Sequence, residues 1–129
     1  MTVKKIITGL ALSMLLSSGA ANADWGDVYY CQMTNFVEIK LEGEKKNYKL
    51  EKFQFKLDQT TKSMVFGSSG YYGNSTSRLR EDNVWPNIET WYSDTTYSSS
   101  FFKKGKYLDS MVGSDSGLVS ISADCDKFK

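Results

Sequence analysis

Leu118-Val119-Ser120-Ile121-Ser122-Ala123-Asp124-Cys125 alternates between apolar and small or polar residues along its whole length. Successive side chains of a β-strand point to opposite faces of the sheet. The valine, isoleucine, alanine and cysteine therefore share one face, and the serines and the aspartate share the other. The stretch predicts a half-buried strand close to the end of the chain.

The first 23 residues have the pattern of a secretory signal peptide. Lys4 and Lys5 precede an apolar run over residues 6–16, and Ala21-Asn22-Ala23 places small residues at both positions of a cleavage site. The run is shorter than the roughly 20 residues of a spanning helix, although an uncleaved anchor is the alternative. We expect export to the periplasm or the medium, with residues 24–129 forming a single domain.

The only other cysteine, Cys31, lies near the start of that domain. Two cysteines of an exported protein normally pair, because the compartment is oxidising. We expect a Cys31–Cys125 disulfide between the first and last strands, and the alternative is two free buried thiols.

Short alternating segments separated by turns fill the rest of the domain. We predict a first strand from Val28 to about Met33, a weak break at Thr34-Asn35, a second strand over 36–42 and a polar turn over 43–47. Phe53, Phe55 and Leu57 then alternate with polar residues. Tyr48 and Leu50 have the opposite parity, which indicates either a bulge near 51–52 or a strand that begins later.

Turns recur about every 8–15 residues, and no window shows a convincing amphipathic helix. The sequence predicts an all-β domain of seven or eight strands, with short links that favour an antiparallel meander. A disulfide between the first and last strands favours closure, or near closure, into a small barrel. A two-sheet β-sandwich is the alternative.

Charge excludes some partners. The chain has a formal net charge of +1, and removal of Lys4 and Lys5 brings it to −1. This balance does not favour nucleic acid. We also expect no membrane span in the mature chain. We expect its partner to be a small molecule, a glycan or a protein.

Histidine is absent, which removes the commonest general base and zinc ligand. Paired cysteines offer no thiolate nucleophile. A carboxylate hydrolase remains an alternative, with acids drawn from Glu81-Asp82, Glu89 and Asp94. Asp109 and Asp115 do not have the spacing of an EF-hand calcium loop. We expect no catalytic residues, no metal and no cofactor.

Aromatic residues are the positive signal, since all of them follow residue 23 and several form adjacent pairs. On a regular strand, the two members of such a pair face opposite sides. Some aromatic rings therefore face outward or into a cavity. The sequence predicts an aromatic binding surface, which we assign to Tyr71, Tyr72, Trp85, Trp91 and Tyr92.

Tyr29-Tyr30-Cys31, together with a second cysteine in the last strand, is similar to the pattern of small periplasmic lysozyme-inhibitor barrels. The resemblance covers the cysteine framework and the chain length. Ser69-Gly70-Tyr71 resembles the Ser-Gly loop of those inhibitors, but the surrounding pattern departs from theirs. It implies a second hypothesis, a protein inhibitor or structural module that acts through a protruding loop over residues 67–83. The first hypothesis is a non-catalytic binding module.

Overall fold

The computed structural model describes residues 23–80, 91–95, 97–113 and 117–128. Residues 1–22 of the predicted signal peptide lie outside this range. The described part of the chain contains β-strands and no helix. The strands are β1 Val28–Ile39, β2 Lys45–Asn47, β3 Lys52–Asp58, β4 Ser63–Phe66, β5 Thr76–Arg78, β6 Trp91–Asp94, β7 Ser98–Lys103, β8 Lys106–Val112 and β9 Leu118–Lys127.

The sheet is an antiparallel meander that is nearly closed into a barrel. Its strand order is β5-β4-β3-β1-β9-β8-β7-β6, with β2 paired to the end of β1. A single bridge, between Leu79 and Ser93, joins the two outer strands. Around it, the Ser93 hydroxyl donates to the carbonyl of Arg78, and the N–H of Arg80 donates to the carbonyl of Tyr92.

The first and last strands form the longest ladder, and the disulfide lies within it. Cys31 is directly opposite Cys125, with the two Cα atoms 4.0 Å apart. This confirms the predicted disulfide and the predicted closure. The bond thus reinforces a seam that is already well paired, while the sparsely bonded seam between β5 and β6 has no covalent link.

The strand boundaries correct two predictions near the start of the domain. The predicted break at Thr34-Asn35 is wrong, because β1 runs without interruption from Val28 to Ile39. Met33 pairs with Ala123 and Asn35 pairs with Ser122, so Thr34 is an extra residue of a β-bulge. The predicted polar turn over 43–47 is also wrong at its end, since 45–47 form β2.

The bulge changes which side chains of β1 face inward. Tyr29, Cys31 and Met33 are buried before it, and Phe36 and Glu38 are buried after it. The apolar residues Val37 and Ile39 consequently lie on the outer face of the barrel.

Aromatic side chains fill the barrel interior. The ring of Phe55 lies 5.6 Å from that of Tyr29, 5.7 Å from Phe66 and 5.1 Å from Phe102. Stacked, tilted and edge-to-face contacts of this kind stabilise a core beyond simple burial. Among the described residues, no helix has the length and apolarity that a membrane span requires.

Candidate functional site

Residues 67–75, which connect β4 to β5, form a capping loop over one end of the barrel. The N–H groups of Gly67 and Tyr71 donate to the carbonyls of Gln54 and Lys52, each at 3.0 Å. Gly70 has a φ of +103°, and a Cβ there would lie 2.7 Å from the Lys52 carbonyl oxygen. Only glycine fits this conformation and this close approach. The loop therefore folds back on β3 over these residues.

The capping loop inserts Tyr72 into the barrel end. Its ring contacts those of Phe53 and Phe66, with centroids 4.9 and 4.7 Å away. Its hydroxyl donates to Oδ2 of Asp109 at 2.7 Å, and the Ser100 hydroxyl donates to Oδ1 at 3.0 Å. Asp109 is only 5% exposed. Both of its carboxyl oxygens are thus occupied by protein groups.

Burial controls the titration of this cluster. Loss of hydration raises the pKa of the Asp109 carboxyl, while the bonds from Tyr72, Ser100 and the Ser110 N–H oppose the rise. Burial also raises the pKa of the Tyr72 and Tyr107 hydroxyls. Both tyrosines therefore keep their protons at neutral pH, and Tyr72 donates its proton to Asp109.

A second carboxylate, Glu38, is buried nearby on the inner face of β1. The Tyr48 hydroxyl donates to its Oε1 at 2.7 Å. A Cβ on Gly113 or Gly117 would lie 2.7 or 2.8 Å from its Oε2, so these two glycines pack tightly against this carboxylate. Neither interior acid lies in an open cleft of the kind that a hydrolase needs.

The acids named for a hydrolase do not form a pair within the described residues. Asp94 is exposed at the end of β6, where it accepts from the Ser99 hydroxyl and lies 3.7 Å from Arg80. Glu81, Asp82 and Glu89 lie outside the described residues. No cluster of three or more potential metal ligands occurs in the part of the chain that the structure describes.

The four predicted aromatic residues that the structure describes do not lie in one place. Tyr71 and Tyr72 cover one end of the barrel. Trp91 packs edge-on against Trp25 at the other end, 4.9 Å away, and its buried Nε1 has no hydrogen-bond partner among the described residues. Tyr92 lies on the outer face of β6, and Trp85 lies outside the described residues.

Tyr92 belongs to a cross-strand row on the outside of the barrel. It pairs with Phe101, whose ring lies 4.7 Å away, and Phe101 in turn pairs with Leu108. The same row continues through Ser122 to Asn35. Leu108 is 53% exposed, so this row presents apolar side chains to solvent.

A groove of about 460 Å³, here called the outer groove, lies beside this row. It crosses the outer faces of β7, β8, β9 and β1. Its lining combines short hydroxyl and amide side chains with apolar residues, one lysine and the buried Asp109: Ser99, Ser110, Ser120, Ser122, Asn35, Phe101, Leu108, Val37, Ile121, Lys45 and Asp109. Phe101 and Leu108 form one apolar side of the groove, here called the apolar bank. Ser110 and Ser120 form its polar base, here called the serine floor.

A second apolar row lies on the other side of the serine floor. Val112 pairs with Leu118, and Leu118 pairs with Ile39. Their exposed fractions are 54%, 57% and 46%. The exposed serines therefore separate two rows of exposed apolar side chains on one wall. Monomeric soluble proteins seldom expose this much apolar surface in one place.

The serine hydroxyls differ in their partners. Ser122 is bonded to both Thr34 and Asn35 at 2.8 Å. No side-chain hydrogen bond among the described residues involves Ser110 or Ser120. These two residues are direct cross-strand neighbours. A hydroxyl both donates and accepts, so the floor presents two adjacent groups free to bind a ligand.

A larger groove of about 650 Å³ lies on the neighbouring wall, beside the disulfide. Its side chains include Lys52, Asp124 and Asp126. Asp124 is already paired with Lys106. Tyr30 lies against Phe128 at 5.6 Å. This wall has more charged side chains along its groove than the outer groove has.

Comparison with protein-family models, with curated proteins and with solved structures gives no significant match to this chain. A functional assignment therefore depends on the geometry of the chain's own residues.

None of the residues that line the outer groove was among the predicted site residues, although Tyr92, which was predicted, pairs with the lining residue Phe101. The alternation of side chains along each strand indicated part of this groove. One of Phe101 and Phe102 must face outward, and Ser120 and Ser122 must face away from Val119 and Ile121. The alternation did not reveal that Phe101 lies on the same outer face as Tyr92, since that depends on the register between β6 and β7.

Proposed function

We propose that this protein is an exported, non-catalytic binding module that holds its ligand in the outer groove. The observation that carries the proposal is the Tyr92–Phe101 pair, which borders a groove whose floor presents the free hydroxyls of Ser110 and Ser120. Binding sites generally combine a mostly apolar lining with a few polar groups that orient the ligand.

Several observations support binding over catalysis. The chain has no histidine, and both cysteines are in the disulfide. The buried acids Asp109 and Glu38 are held by tyrosine hydroxyls away from solvent. The disulfide itself supports export, because such bonds persist in oxidising compartments.

The competing hypothesis of an inhibitor or structural module receives less support. That hypothesis expects a protruding loop over residues 67–83, whereas residues 67–75 are bonded to β3 and to Asp109. Residues 81–83 lie outside the described part of the chain.

The proposal is tested by retention on the immobilised protein. An extract of the source cells is separated into protein, lipid and polysaccharide fractions, and each is passed over the wild type and over a Tyr92→Ala/Phe101→Ala variant. We expect one fraction to be retained by the wild type and lost by the variant. Tyr30→Ala is the matched control, since it removes an exposed aromatic ring from the other wall.

Equal retention by the wild type and the double variant would contradict the proposal, as would the absence of any retained fraction. Circular dichroism of each variant establishes that the barrel is folded before the comparison is made.

A further inference from the structure

We propose that the ligand of the outer groove is a linear, uncharged glycan that lies across strands β7, β8, β9 and β1. This inference rests on the binding function proposed above and names the chemical class of its ligand. It is carried by the charge, the hydrogen-bonding groups and the pairing of this wall.

The wall carries almost no charge. The outward side chains of the three adjacent rows are uncharged except for Asp94 at the β6 end and Lys45 at the β2 end. Arg80 lies over the Tyr92 ring at the β6 end, where it is paired with Asp94. The uncharged positions between them are Tyr92, Phe101, Leu108, Ser122, Asn35, Ser99, Ser110, Ser120, Val37, Val112, Leu118 and Ile39. An ionised ligand would lose its hydration here without gaining a counter-charge, so the wall is complementary to a neutral ligand.

The ligand must also be apolar on one side and rich in hydrogen-bonding groups on another. Phe101 and Leu108 form an apolar bank, while Ser110 and Ser120 present free hydroxyls at the floor. A purely apolar ligand would cover these hydroxyls without bonding them, which costs free energy. A sugar ring matches both features, because its C–H groups pack on apolar side chains and its hydroxyls bond to serine and asparagine.

An extended peptide matches this wall less well. Sheets bind peptides by adding a strand at a free edge, where unpaired backbone groups supply the hydrogen bonds. Strands β7, β8, β9 and β1 are each paired on both sides, so their backbone groups are already used. Only side chains are available on this face.

The dimensions favour a chain over a single sugar. The groove is lined from four successive strands. Neighbouring strands are about 4.8 Å apart, so the lining extends over roughly 14 Å, which is longer than one pyranose ring. The glycan would therefore run across the strands, with the row from Tyr92 to Leu108 along one side.

The test is a titration of the isotope-labelled, oxidised protein followed by NMR. Cellohexaose, chitohexaose and maltohexaose are the neutral probes. Oligogalacturonate, chitosan oligomers and an uncharged Gly-Ser-Thr peptide are the comparison probes. We expect at least one neutral hexasaccharide to shift the amide signals around Ser110 and Ser120, and the comparison probes to leave them unchanged.

Variants locate the site. Phe101→Ala should weaken binding of that hexasaccharide about tenfold or more, as expected for a central aromatic contact. Ser110→Ala and Ser120→Ala should each weaken it about three- to tenfold, the range for one lost hydrogen bond. Tyr30→Ala and Ser69→Ala change exposed residues elsewhere and should leave the affinity unchanged.

The inference is wrong if no neutral hexasaccharide shifts these signals, or if Phe101→Ala binds one as well as the wild type does. If a charged oligomer or the peptide shifts them instead, the glycan class fails while the proposed binding function stands. If no probe shifts them and no cell fraction is retained, both fail.

Discussion

The capping loop and the outer groove use the same kind of residue for opposite purposes. Tyr72 turns inward, contacts two phenylalanine rings and donates to a buried carboxylate. Tyr92 turns outward and contacts only Phe101 and Arg80 among the aromatic and cationic side chains described. The comparison shows that an aromatic-rich sequence divides into residues that hold the barrel together and residues that are available to a ligand.

The largest expected effect concerns the interior. Replacing both cysteines by alanine, Cys31→Ala with Cys125→Ala, removes a link across a sequence separation of 94 residues. On the chain-entropy model the free energy of unfolding falls by about 4–5 kcal/mol, with about 2–5 kcal/mol typical of measurements. Urea denaturation monitored by fluorescence measures it. An unchanged unfolding midpoint would show that the β1–β9 ladder alone holds this seam.

The second largest effect is expected from replacing Tyr72, the tyrosine that points into the barrel. Tyr72→Ala should lower the free energy of unfolding by about 3 kcal/mol, because it opens a cavity beside Phe53 and Phe66 and removes a donor from Asp109. Tyr72→Phe keeps the ring and should lose only about 1–2 kcal/mol. Urea titrations of both variants separate packing from hydrogen bonding, and equal losses would contradict this division.

A smaller effect concerns the buried acid that Tyr72 holds. Burial raises the pKa of Asp109 in the folded protein above its usual value, so the folded state binds this proton more tightly than the unfolded state does. The stability that comes from this group is complete below the unfolded pKa and is lost as pH rises through the folded pKa. Wild type should therefore lose stability relative to Asp109→Asn as pH increases from about 4 towards 8.

Parallel urea titrations of the two proteins across this pH range measure the difference between their free energies of unfolding. The contributions of the other acidic residues are the same in both proteins and cancel in this difference. At neutral pH the asparagine variant should be the more stable, since it keeps an acceptor for Tyr72 and has no ionisable group whose charged form burial disfavours. A difference that stays constant with pH would show that Asp109 titrates as in water.

The smallest effect on stability is expected on the outer wall. Tyr92→Ala and Phe101→Ala should each lower the free energy of unfolding by about 1 kcal/mol, less than Tyr72→Ala, because both rings are only partly buried. Both should nevertheless abolish or weaken retention of the ligand. A loss as large as that of Tyr72→Ala would show that this aromatic pair is structural.

Much of the fold follows from local pattern. The alternation of β9, the glycine-containing turns and the two cysteines predicted an all-β meander closed by Cys31–Cys125, and the structure confirms it. Thr34-Asn35 predicted a weak break, but the sequence did not reveal that the strand continues through it with a bulge, because that depends on pairing with β9. The bulge places Glu38 inside and Val37 and Ile39 outside, which reverses the usual preference of these residue types.

The candidate site was less predictable than the fold. Tyr71, Tyr72, Trp91 and Tyr92 share composition and proximity to turns, but the structure distributes them over both ends and the outer wall. The direction of Tyr72 depends on backbone bonds between the capping loop and β3, which join residues distant in sequence.

By itself, the sequence determined which residues alternate, which cysteines pair and which catalytic groups are absent, because these are properties of neighbouring residues and of composition. Only the tertiary structure decided that Ser110 and Ser120 lie side by side and that Tyr92, Phe101 and Leu108 form one row. These placements depend on strand register, where a shift of one residue moves every side chain to the other face. The proposed binding surface therefore arises from the register of the closed barrel.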